Sequence, residues 1–325
     1  MPGCGRGHPD PHRPGWRDAR DRPHDQRVVA RIGLATCQEF PLLDEDDQLL
    51  IPALAALGIE GVPAVWTDPT VDWGAFDTVV VRGTWDYAND RDAYLAWVDH
   101  VSTVTRLFNP ASVVRWNTDK RYLRDLVEAG VPVVPTMFLE PGDDPQAWQA
   151  EQPRSWREIV VKPAVSCGSR DTARYDLVED SGRIADHAGG LLTAGRTTMV
   201  QPYIASVDLA GETALLYFDG EFSHAIRKGP LLARGEEGEQ VEGLFLREQI
   251  DPRDPTDDEL DVGRRALDVI PGGAPLYARV DLIRDADMSP MVLELELTEP
   301  SVFLAHSTGA ADRFAAAIAR CVTGA

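Results

Sequence analysis

The sequence predicts a protein of mixed α/β and α+β class, in which one parallel α/β unit precedes two units with antiparallel strands. Over residues 27–108, apolar strand-like runs alternate with helical patterns, an order typical of a parallel sheet. Farther along, Asp219-Gly220 separates two apolar runs as the two-residue turn of a β-hairpin. The chain of 325 residues has room for two or three domains. We therefore expect a parallel α/β domain over 27–108, a small lid-like subdomain over 109–204 and a C-terminal subdomain over 205–325.

The composition indicates a globular protein and excludes some classes of partner. Asp and Glu number 53 against 32 Lys and Arg, which gives a formal net charge of −21 at pH 7. Such an acidic surface argues against nonspecific binding to nucleic acid or to an anionic membrane. No apolar run approaches the roughly 20 residues that cross a bilayer, and the four cysteines lack CxxC spacing. We expect a protein of the reducing cytoplasm; its oligomeric state, a homo-oligomer included, stays open.

The N-terminal segment differs in pattern from the domain that follows it. Residues 1–26 are rich in Pro, Gly, Arg and His, lack periodic apolar residues and are expected to form a disordered tail. The next domain is predicted to contain strands at 28–36, 61–66 and 76–83 and helices at 49–58 and 92–101. Open α/β sheets bind ligands beyond the carboxyl ends of their strands. The loop RGTWDYAND, which follows the third strand and contains Arg82, is therefore a candidate for function.

Caps, turns and alternation predict the elements of the two later subdomains. The small subdomain is expected to contain a helix at 117–130, capped by Asn117 or Thr118 and ended by Gly130. Strands at 131–139, 158–165, 173–178 and 197–204 and a helix at 181–193 complete it. The C-terminal subdomain is expected to contain a hairpin at 213–228, a helix at 257–270, paired strands at 275–285 and 290–300, and a final helix at 310–322. The loop at 229–242 is unusually long, and loops of that length are often functional.

Acidic residues in the last two predicted strands give the strongest chemical signal. Residues two apart share one face of a strand, so Arg279 and Asp281 point the same way, as do Glu294 and Glu296. The same alternation places Leu293, Leu295 and Leu297 together on the other face. Carboxylates gathered in this way form a hard oxygen site suited to Mg²⁺. For the segment LELEL alone, an amphipathic strand with a solvated acidic face is an equal alternative.

Two lysines lie where a phosphate could be bound. Lys162 ends an apolar strand and precedes the small-residue loop SCGSRDT, whose backbone N–H groups can approach an anion closely. A plain hairpin turn is an equal alternative for that loop. Lys120 lies in the first turn of its predicted helix, where a solvent-exposed lysine is the ordinary case.

The segment MVQPYIASVDLAGET is a third candidate site. Its apolar strand could present backbone N–H and C=O groups to a purine edge, and Asp208 could bind ribose hydroxyls. A simple interdomain linker with solvated acids explains the pattern equally well.

Taken in order, these motifs resemble those of the ATP-grasp superfamily. The order is Asp119-Lys120, VVKP at 160–163, the small loop at 166–169, VQPYI at 200–204, Asp208, RVD at 279–281 and ELE at 294–296. The resemblance covers about residues 109–305 and implies an ATP-grasp fold, with 27–108 similar to its preATP-grasp domain. Many members carry Asn where Glu296 stands, and Glu keeps an oxygen ligand at that position.

The resemblance implies a role for each motif. ATP would be bound by residues of the five earlier motifs: Lys120, Lys162, Ser166, Gly168, Ser169, Gln201, Pro202, Tyr203, Ile204 and Asp208. Lys228 would reach the γ-phosphate, and Arg279 would stabilise the transferred phosphoryl group. Asp281, Glu294 and Glu296 would hold two Mg²⁺ ions, with Mn²⁺ as an alternative.

The reaction that the resemblance implies is phosphoryl transfer from ATP to a substrate carboxylate, after which an amine or an intramolecular nitrogen displaces phosphate. RGTWDY, GETALLYFDGEFSHAIRKGP and ELELTEPSVFL look most similar to a branch near the glutathione-synthetase-like ligases. An enzyme of cycloserine biosynthesis that cyclises O-ureido-D-serine is similar to this branch. Arg82 and Ser301 are expected at the carboxylate and amine region of an amino-acid-like substrate; a loop arginine and a turn serine are the alternatives.

Three rival interpretations are weaker. An ATP-binding regulatory protein without catalysis is disfavoured by the intact RVD and ELE motifs. An oxidoreductase with a dinucleotide-binding first domain is disfavoured because VVARIGLATCQEF lacks the glycine fingerprint. A nucleophilic role for Cys167 is disfavoured because no His lies near it in the sequence.

Overall fold

The computed structural model describes residues 30–150, 153, 155–230, 240–241, 245–246 and 249–323. The predicted tail at 1–26 and most of the predicted loop at 229–242 lie outside these residues. Within them, no helix is both long and apolar enough to cross a membrane.

The described strands and helices are as follows. The strands are β1 (Ala30–Thr36), β2 (Ile59–Val65), β3 (Thr78–Val81), β4 (Arg106–Phe108), β5 (Met137–Leu139), β6 (Glu158–Pro163), β7 (Ala173–Asp176), β8 (Thr198–Pro202), β9 (Glu212–Phe218), β10 (Glu221–Lys228), β11 (Gln240–Val241), β12 (Phe245–Leu246), β13 (Ile250–Arg253), β14 (Tyr277–Arg284) and β15 (Pro290–Glu296). The α-helices are α1 (Leu50–Ala56), α2 (Arg91–Val104), α3 (Ala111–Asn117), α4 (Leu123–Glu128), α5 (Pro145–Ala150), α6 (Ser181–Thr193), α7 (Val207–Ala210), α8 (Asp257–Leu267) and α9 (Ala310–Thr323).

The first sheet is parallel throughout and has the strand order β2-β1-β3-β4. This confirms the parallel α/β class predicted for the N-terminal part of the chain. Helix α1 ends before Gly58, whose positive φ of 75° suits a residue without Cβ. Helix α2 buries Tyr94, Trp97 and Val98 against β3, where they form an aromatic-rich core.

The second sheet, β5-β8-β6-β7, is antiparallel and is covered by α6. The strand predicted at 131–139 was too long, because only Met137–Leu139 pairs within this sheet. Pro132 and Pro135 interrupt the segment, and proline cannot donate to a strand ladder. Val133 forms an isolated bridge to Val292 instead.

The helix predicted at 117–130 is wrong at its start. Asn117 ends α3 and does not cap α4: its side-chain amide donates to the Leu295 carbonyl, 2.7 Å, and accepts from the Leu297 amide, 2.7 Å. The cap is Asp119, whose carboxylate accepts from the Arg121 backbone N–H at the start of a 3₁₀ turn that leads into α4. A polar residue buried against a neighbouring strand cannot be told from a cap by sequence alone.

The third sheet, β13-β10-β9-β14-β15, carries the acidic strands. Its predicted hairpin is confirmed, since Asp219 and Gly220 join β9 to β10 with φ of 56° and 77°. In the β14–β15 pairing, Arg279 lies opposite Glu296 and Asp281 lies opposite Glu294. Helix α8 packs on one face, and α9 packs with α1 on the other, where it joins the first domain to this sheet.

A β-bulge in β15 changes the predicted face of one leucine. The register shifts between Asp281 and Leu282, which pair with Glu294 and Val292, so Leu293 has no opposite partner. Leu295 and Leu297 are buried in the core under α8, but Leu293 lines the same cavity as Glu294. The prediction that all three leucines share a face was therefore wrong, because an extra residue inverts the alternation at that point.

Each of the three predicted units contains one of the three sheets described above, and the two-stranded sheet β11-β12 lies in the C-terminal unit. The exact boundaries of these units, at 108/109 and 204/205, remain predictions.

Candidate active site

One cavity of about 710 Å³ lies where elements of all three sheets meet. Fifteen of the seventeen residues predicted for the site line it: Lys120, Lys162, Ser166, Gly168, Ser169, Gln201, Pro202, Tyr203, Ile204, Lys228, Arg279, Asp281, Glu294, Glu296 and Ser301. The two that do not are Arg82 and Asp208. The acidic residues of the third sheet and the lysines from earlier in the chain thus face one space.

Lysine is confined to this cavity. The whole sequence contains only three lysines, Lys120, Lys162 and Lys228, and all three line it. Everywhere else the chain uses arginine as its strong base. An ammonium is a compact point charge suited to phosphate oxygens, so the distribution indicates a site for a polyanion.

Two of the lysines form ion pairs with the acidic strands. Lys120 Nζ lies 3.0 Å from Glu294 Oε1, and Lys228 Nζ lies 2.6 Å from Asp281 Oδ2 and 3.2 Å from Glu212 Oε2. Both lysines are buried. The alternative weighed for Lys120, a solvent-exposed helical lysine, does not hold, because the side chain is buried in the cavity wall.

Lys162 differs from the other two lysines. Its side chain projects from β6 into the cavity, and it has no ion-pair partner among the described residues. Burial lowers the pKa of Lys162 and the nearby Lys120 lowers it further, while Glu294 partly opposes both. An anion that entered the cavity would restore the stability of the charged ammonium.

Arg279 connects the carboxylates of the two adjacent strands. Its guanidinium donates to both oxygens of Asp281, at 2.9 and 3.0 Å, and also to Glu296. Burial opposes ionisation of Asp281, but Arg279 and Lys228 together hold the pKa of that carboxyl below its ordinary value. Burial dominates at Glu296 and raises its pKa to about 7. The same face therefore carries carboxylates of different proton affinity.

The small-residue loop is held over the cavity by Lys120. Lys120 Nζ donates to the Ser166 carbonyl at 2.7 Å and lies 3.2 Å from the Ser166 hydroxyl. Gly168 and Ser169 follow with φ of 65° and 58°, two successive left-handed residues that turn the chain back toward β7. The hairpin-turn alternative is thus correct for the local geometry, and the turn also lines the cavity.

The β8 end of the cavity has one free backbone donor. Pro202 has no N–H, and the Tyr203 N–H donates to the Glu158 carbonyl at 2.8 Å. No backbone hydrogen bond is made by the Ile204 N–H within the described residues. The side chain of Gln201 is buried and donates to the Thr136 hydroxyl at 2.9 Å. Of the four residues predicted to meet a purine edge, Ile204 is therefore the one with a donor to offer.

Arg82 does not lie in the cavity, so its predicted contact with a substrate carboxylate is corrected. Arg82 is 1% exposed, and its guanidinium forms a bidentate ion pair with the Asp47 carboxylate, at distances of 2.9–3.1 Å. It also donates to the Pro300 carbonyl at 2.9 Å. Arg82 fixes the first domain against the loop that follows β15, and a buried pair of this kind leaves it unable to reach a ligand.

Asp208 lies outside the lining of the cavity. It is exposed at the start of α7, where the Tyr203 hydroxyl donates to its carboxylate and Arg174 is 3.9 Å away. Its role toward ribose stays a prediction. Glu212, four residues on, lines the cavity beside Lys228.

Several residues that line the cavity were not singled out in the sequence. Glu299 and Phe303 follow β15, and Asp44 and Glu45 come from a loop of the first domain. Glu299 lies three positions after Glu296, so alternation along the predicted strand places it on the opposite face, but β15 ends at Glu296. The first-domain residues are brought in only by tertiary packing, which leaves no local signal.

The carboxylates suit Mg²⁺ by their chemistry. Among the described residues, no three His, Cys, Asp or Glu side chains are gathered closely enough to hold a metal ion by themselves. Mg²⁺ seldom requires such a cage, because it is usually held by one or two carboxylates together with phosphate oxygens and water. Asp281 and Glu294, which pair across adjacent strands and face the lysines, supply that kind of donor set.

Comparison with solved structures defines the class of protein. The fold matches an ATP-grasp RimK domain protein from Sphaerobacter thermophilus, with a TM-score of 0.64 and 17% identity over 89% of this chain and 100% of that one. It also matches a D-alanine–D-alanine ligase from Bacillus anthracis, with a TM-score of 0.65 and 14% identity over 91% of this chain and 98% of that one. The chain therefore has the ATP-grasp fold.

Closer relatives identify the family. The N-terminal domain model of the D-cycloserine synthetase DcsG matches residues 32–109. The cycloserine biosynthesis protein DcsG of Streptomyces lavendulae is 43% identical over 288 residues, which are 85% of this chain and 94% of that protein. The crystal structure of D-cycloserine synthetase DcsG matches with a TM-score of 0.82 and 39% identity over 90% and 99% of the two chains. The chain belongs to the DcsG family and is an ATP-dependent ligase.

Proposed function

We propose that this ligase uses ATP and Mg²⁺ to phosphorylate the carboxylate of a small amino-acid-like substrate, and that a nitrogen of the same molecule then displaces phosphate. The observation that carries the proposal is the meeting of all three lysines with the acidic face of β14 and β15 in one cavity. The 43% identity to a cycloserine biosynthesis protein supports ring closure over ligation of two molecules. O-ureido-D-serine is the substrate we propose to test first.

The nucleotide would lie between the second and third sheets. The free Ile204 N–H would meet the purine edge, and Lys120 and Lys162 would contact the α- and β-phosphates. Residues 166–169 line the cavity beside Lys120, which supports a role for this loop in covering the phosphates. On binding, Lys120 would exchange its carboxylate partner Glu294 for phosphate oxygens, and Lys162 would gain an anionic partner.

The transferred phosphoryl group would lie between Lys228 and Arg279. Asp281, Glu294 and Glu296 would hold Mg²⁺, which when bound neutralises the charge on the phosphates. Arg279 is fixed by Asp281, by Glu296 and by the Ser301 carbonyl at 3.1 Å, so its guanidinium is oriented before substrate enters. Preoriented positive charge stabilises the transition state without reorganisation, and no side chain has to act as a nucleophile.

The proposal is tested by measuring ADP and phosphate release with ATP, Mg²⁺ and a panel of D- and L-amino acids that includes O-ureido-D-serine. We expect release that depends on one carboxylate substrate and on Mg²⁺. A product formed from that substrate alone, without a second amine, would support ring closure. Nucleotide binding without phosphate release for any carboxylate would contradict the proposal and favour an ATP-binding regulatory protein.

A further inference from the structure

Glu299 is a buried carboxyl group that the mechanism above does not use. The residue is 7% exposed and lines the active-site cavity. Among the described residues its carboxyl oxygens have no ion-pair partner, and a hydrogen bond links the carboxyl to the thiol of Cys167. Burial, reinforced by Glu296, raises the pKa of Glu299 to about 8.

A buried carboxyl that has no ion-pair partner is costly to keep in its ionised form. In a cavity wall, the missing partner is most simply a group of the ligand. Asp281, Glu294 and Glu296 all have cationic partners within the protein, which sets Glu299 apart from the other acids that follow one another along β14 and β15. Glu299 is thus available to a polar group of the substrate.

The backbone of Glu299 is held by the first domain. The Trp85 indole N–H donates to the Glu299 carbonyl at 2.9 Å, and Arg82 donates to the next carbonyl, that of Pro300, at 2.9 Å. Both donors come from the RGTWDY loop. This loop therefore fixes the backbone of Glu299, and a side chain that contacts a substrate needs support of this kind from its neighbours.

Along the chain, Glu299 comes between two sets of residues that line the cavity. Glu294 and Glu296 precede it on β15 and face the phosphate-binding lysines, while Ser301 and Phe303 follow it in the cavity wall. Cys167 of the small-residue loop completes its surroundings. The end of β15, the segment that follows it and the small-residue loop all contribute to the lining of this cavity.

We propose that Glu299 contacts the nucleophilic nitrogen of the substrate and accepts the proton that this nitrogen loses. This inference rests on the proposed function. In the ligation step the nitrogen lone pair forms the C–N bond, and the bond between the acyl carbon and the phosphate oxygen breaks. Phosphate leaves with that electron pair, and the N–H proton passes to a Glu299 carboxylate oxygen.

The test separates carboxylate activation from ligation in the Glu299→Gln variant, which keeps the volume of the side chain. Hydroxylamine is an external nucleophile that is neutral at pH 7 and traps an acylphosphate as a hydroxamate. We expect ring closure to fall about 100-fold or more, the order that a lost general base costs, while hydroxamate formation and the Kd for ATP stay near the wild-type values. Glu39→Gln, an exposed acid of the first domain that does not line the cavity, is the matched control.

Unchanged ring closure in Glu299→Gln, or equal loss of ring closure and hydroxamate, would overturn the inference. If Glu299→Gln does not fold, the same two rates are measured in Trp85→Phe, which removes the hydrogen-bond donor to the Glu299 carbonyl. This variant should slow ring closure more than hydroxamate formation. Equal effects on the two rates would overturn the inference. Absence of both hydroxamate and ADP in the wild-type protein would instead contradict the proposed function.

Discussion

At the residue scale, the chain reserves lysine for the cavity and uses arginine for every other strong base. The two cations are not equivalent, because a lysine changes its pKa readily when buried whereas a guanidinium stays protonated. Against the effect of burial, Glu294 raises the pKa of Lys120, and Lys228 is paired with Asp281. Lys162 has no carboxylate partner among the described residues, so its charge depends most on what enters the cavity.

Lys162 predicts how nucleotide binding depends on pH. Its pKa is lowered in the free protein, and phosphate oxygens would raise it in the complex. Affinity for ATP should therefore be highest at pH values below the pKa of Lys162 in the free protein, and it should fall as the pH rises through that pKa. Because this pKa is lowered, the fall should begin at a lower pH than it would for an ordinary lysine. In Lys162→Arg this early fall should disappear. Calorimetric Kd values from neutral to alkaline pH check the prediction, and identical pH profiles for the two proteins would contradict it.

At the element scale, strand alternation placed most of the acidic face correctly. Two pairs of residues, Arg279 with Glu296 and Asp281 with Glu294, lie opposite each other in the β14–β15 pairing, so all four side chains share one face. Leu293 was misplaced because the bulge beside it leaves no mark in the sequence. Arg82 was misassigned for a related reason: its partner Asp47 lies in another loop, and a long-range ion pair is invisible to local patterns.

The register also predicts the effect of removing one carboxylate. Glu294 faces Asp281 across the strands, so Glu294→Gln should lower turnover at least about 100-fold, as removal of one electrostatic group of an active site commonly does. The Mg²⁺ concentration for half-maximal activity should rise as well. Glu60→Gln, which alters an exposed ion pair with Arg31, is the control. Wild-type turnover and Mg²⁺ dependence in Glu294→Gln would remove that residue from the metal site.

At the scale of the whole molecule, loops of the first domain are tied to the loop after β15. Asp47 and Arg82 form the buried pair that reaches Pro300, and the Asp46 carboxylate accepts from the backbone N–H groups of Leu304 and Ala305, each at 2.8 Å. The sequence predicted the sheets that these contacts join. It could not predict the contacts, because they depend on how the domains pack.

This interpretation predicts that Arg82 matters for stability. Arg82→Met would leave Asp47 buried without a cation, which should lower the free energy of unfolding by about 3–5 kcal/mol. Arg31→Met breaks an exposed pair with Glu60 and should cost less than about 1 kcal/mol. Urea unfolding measures both. A change in Arg82→Met as small as that in the control would reopen a direct role for Arg82 toward the substrate.

The most direct test of the central claim is the fate of oxygen from the substrate carboxylate. The protein would be incubated with ATP, Mg²⁺ and a turned-over substrate whose carboxylate carries ¹⁸O, and the released phosphate would be analysed by mass spectrometry. Phosphoryl transfer to the carboxylate predicts ADP together with phosphate that contains one ¹⁸O atom. Phosphate without the label, or AMP and pyrophosphate in place of ADP, would contradict the account.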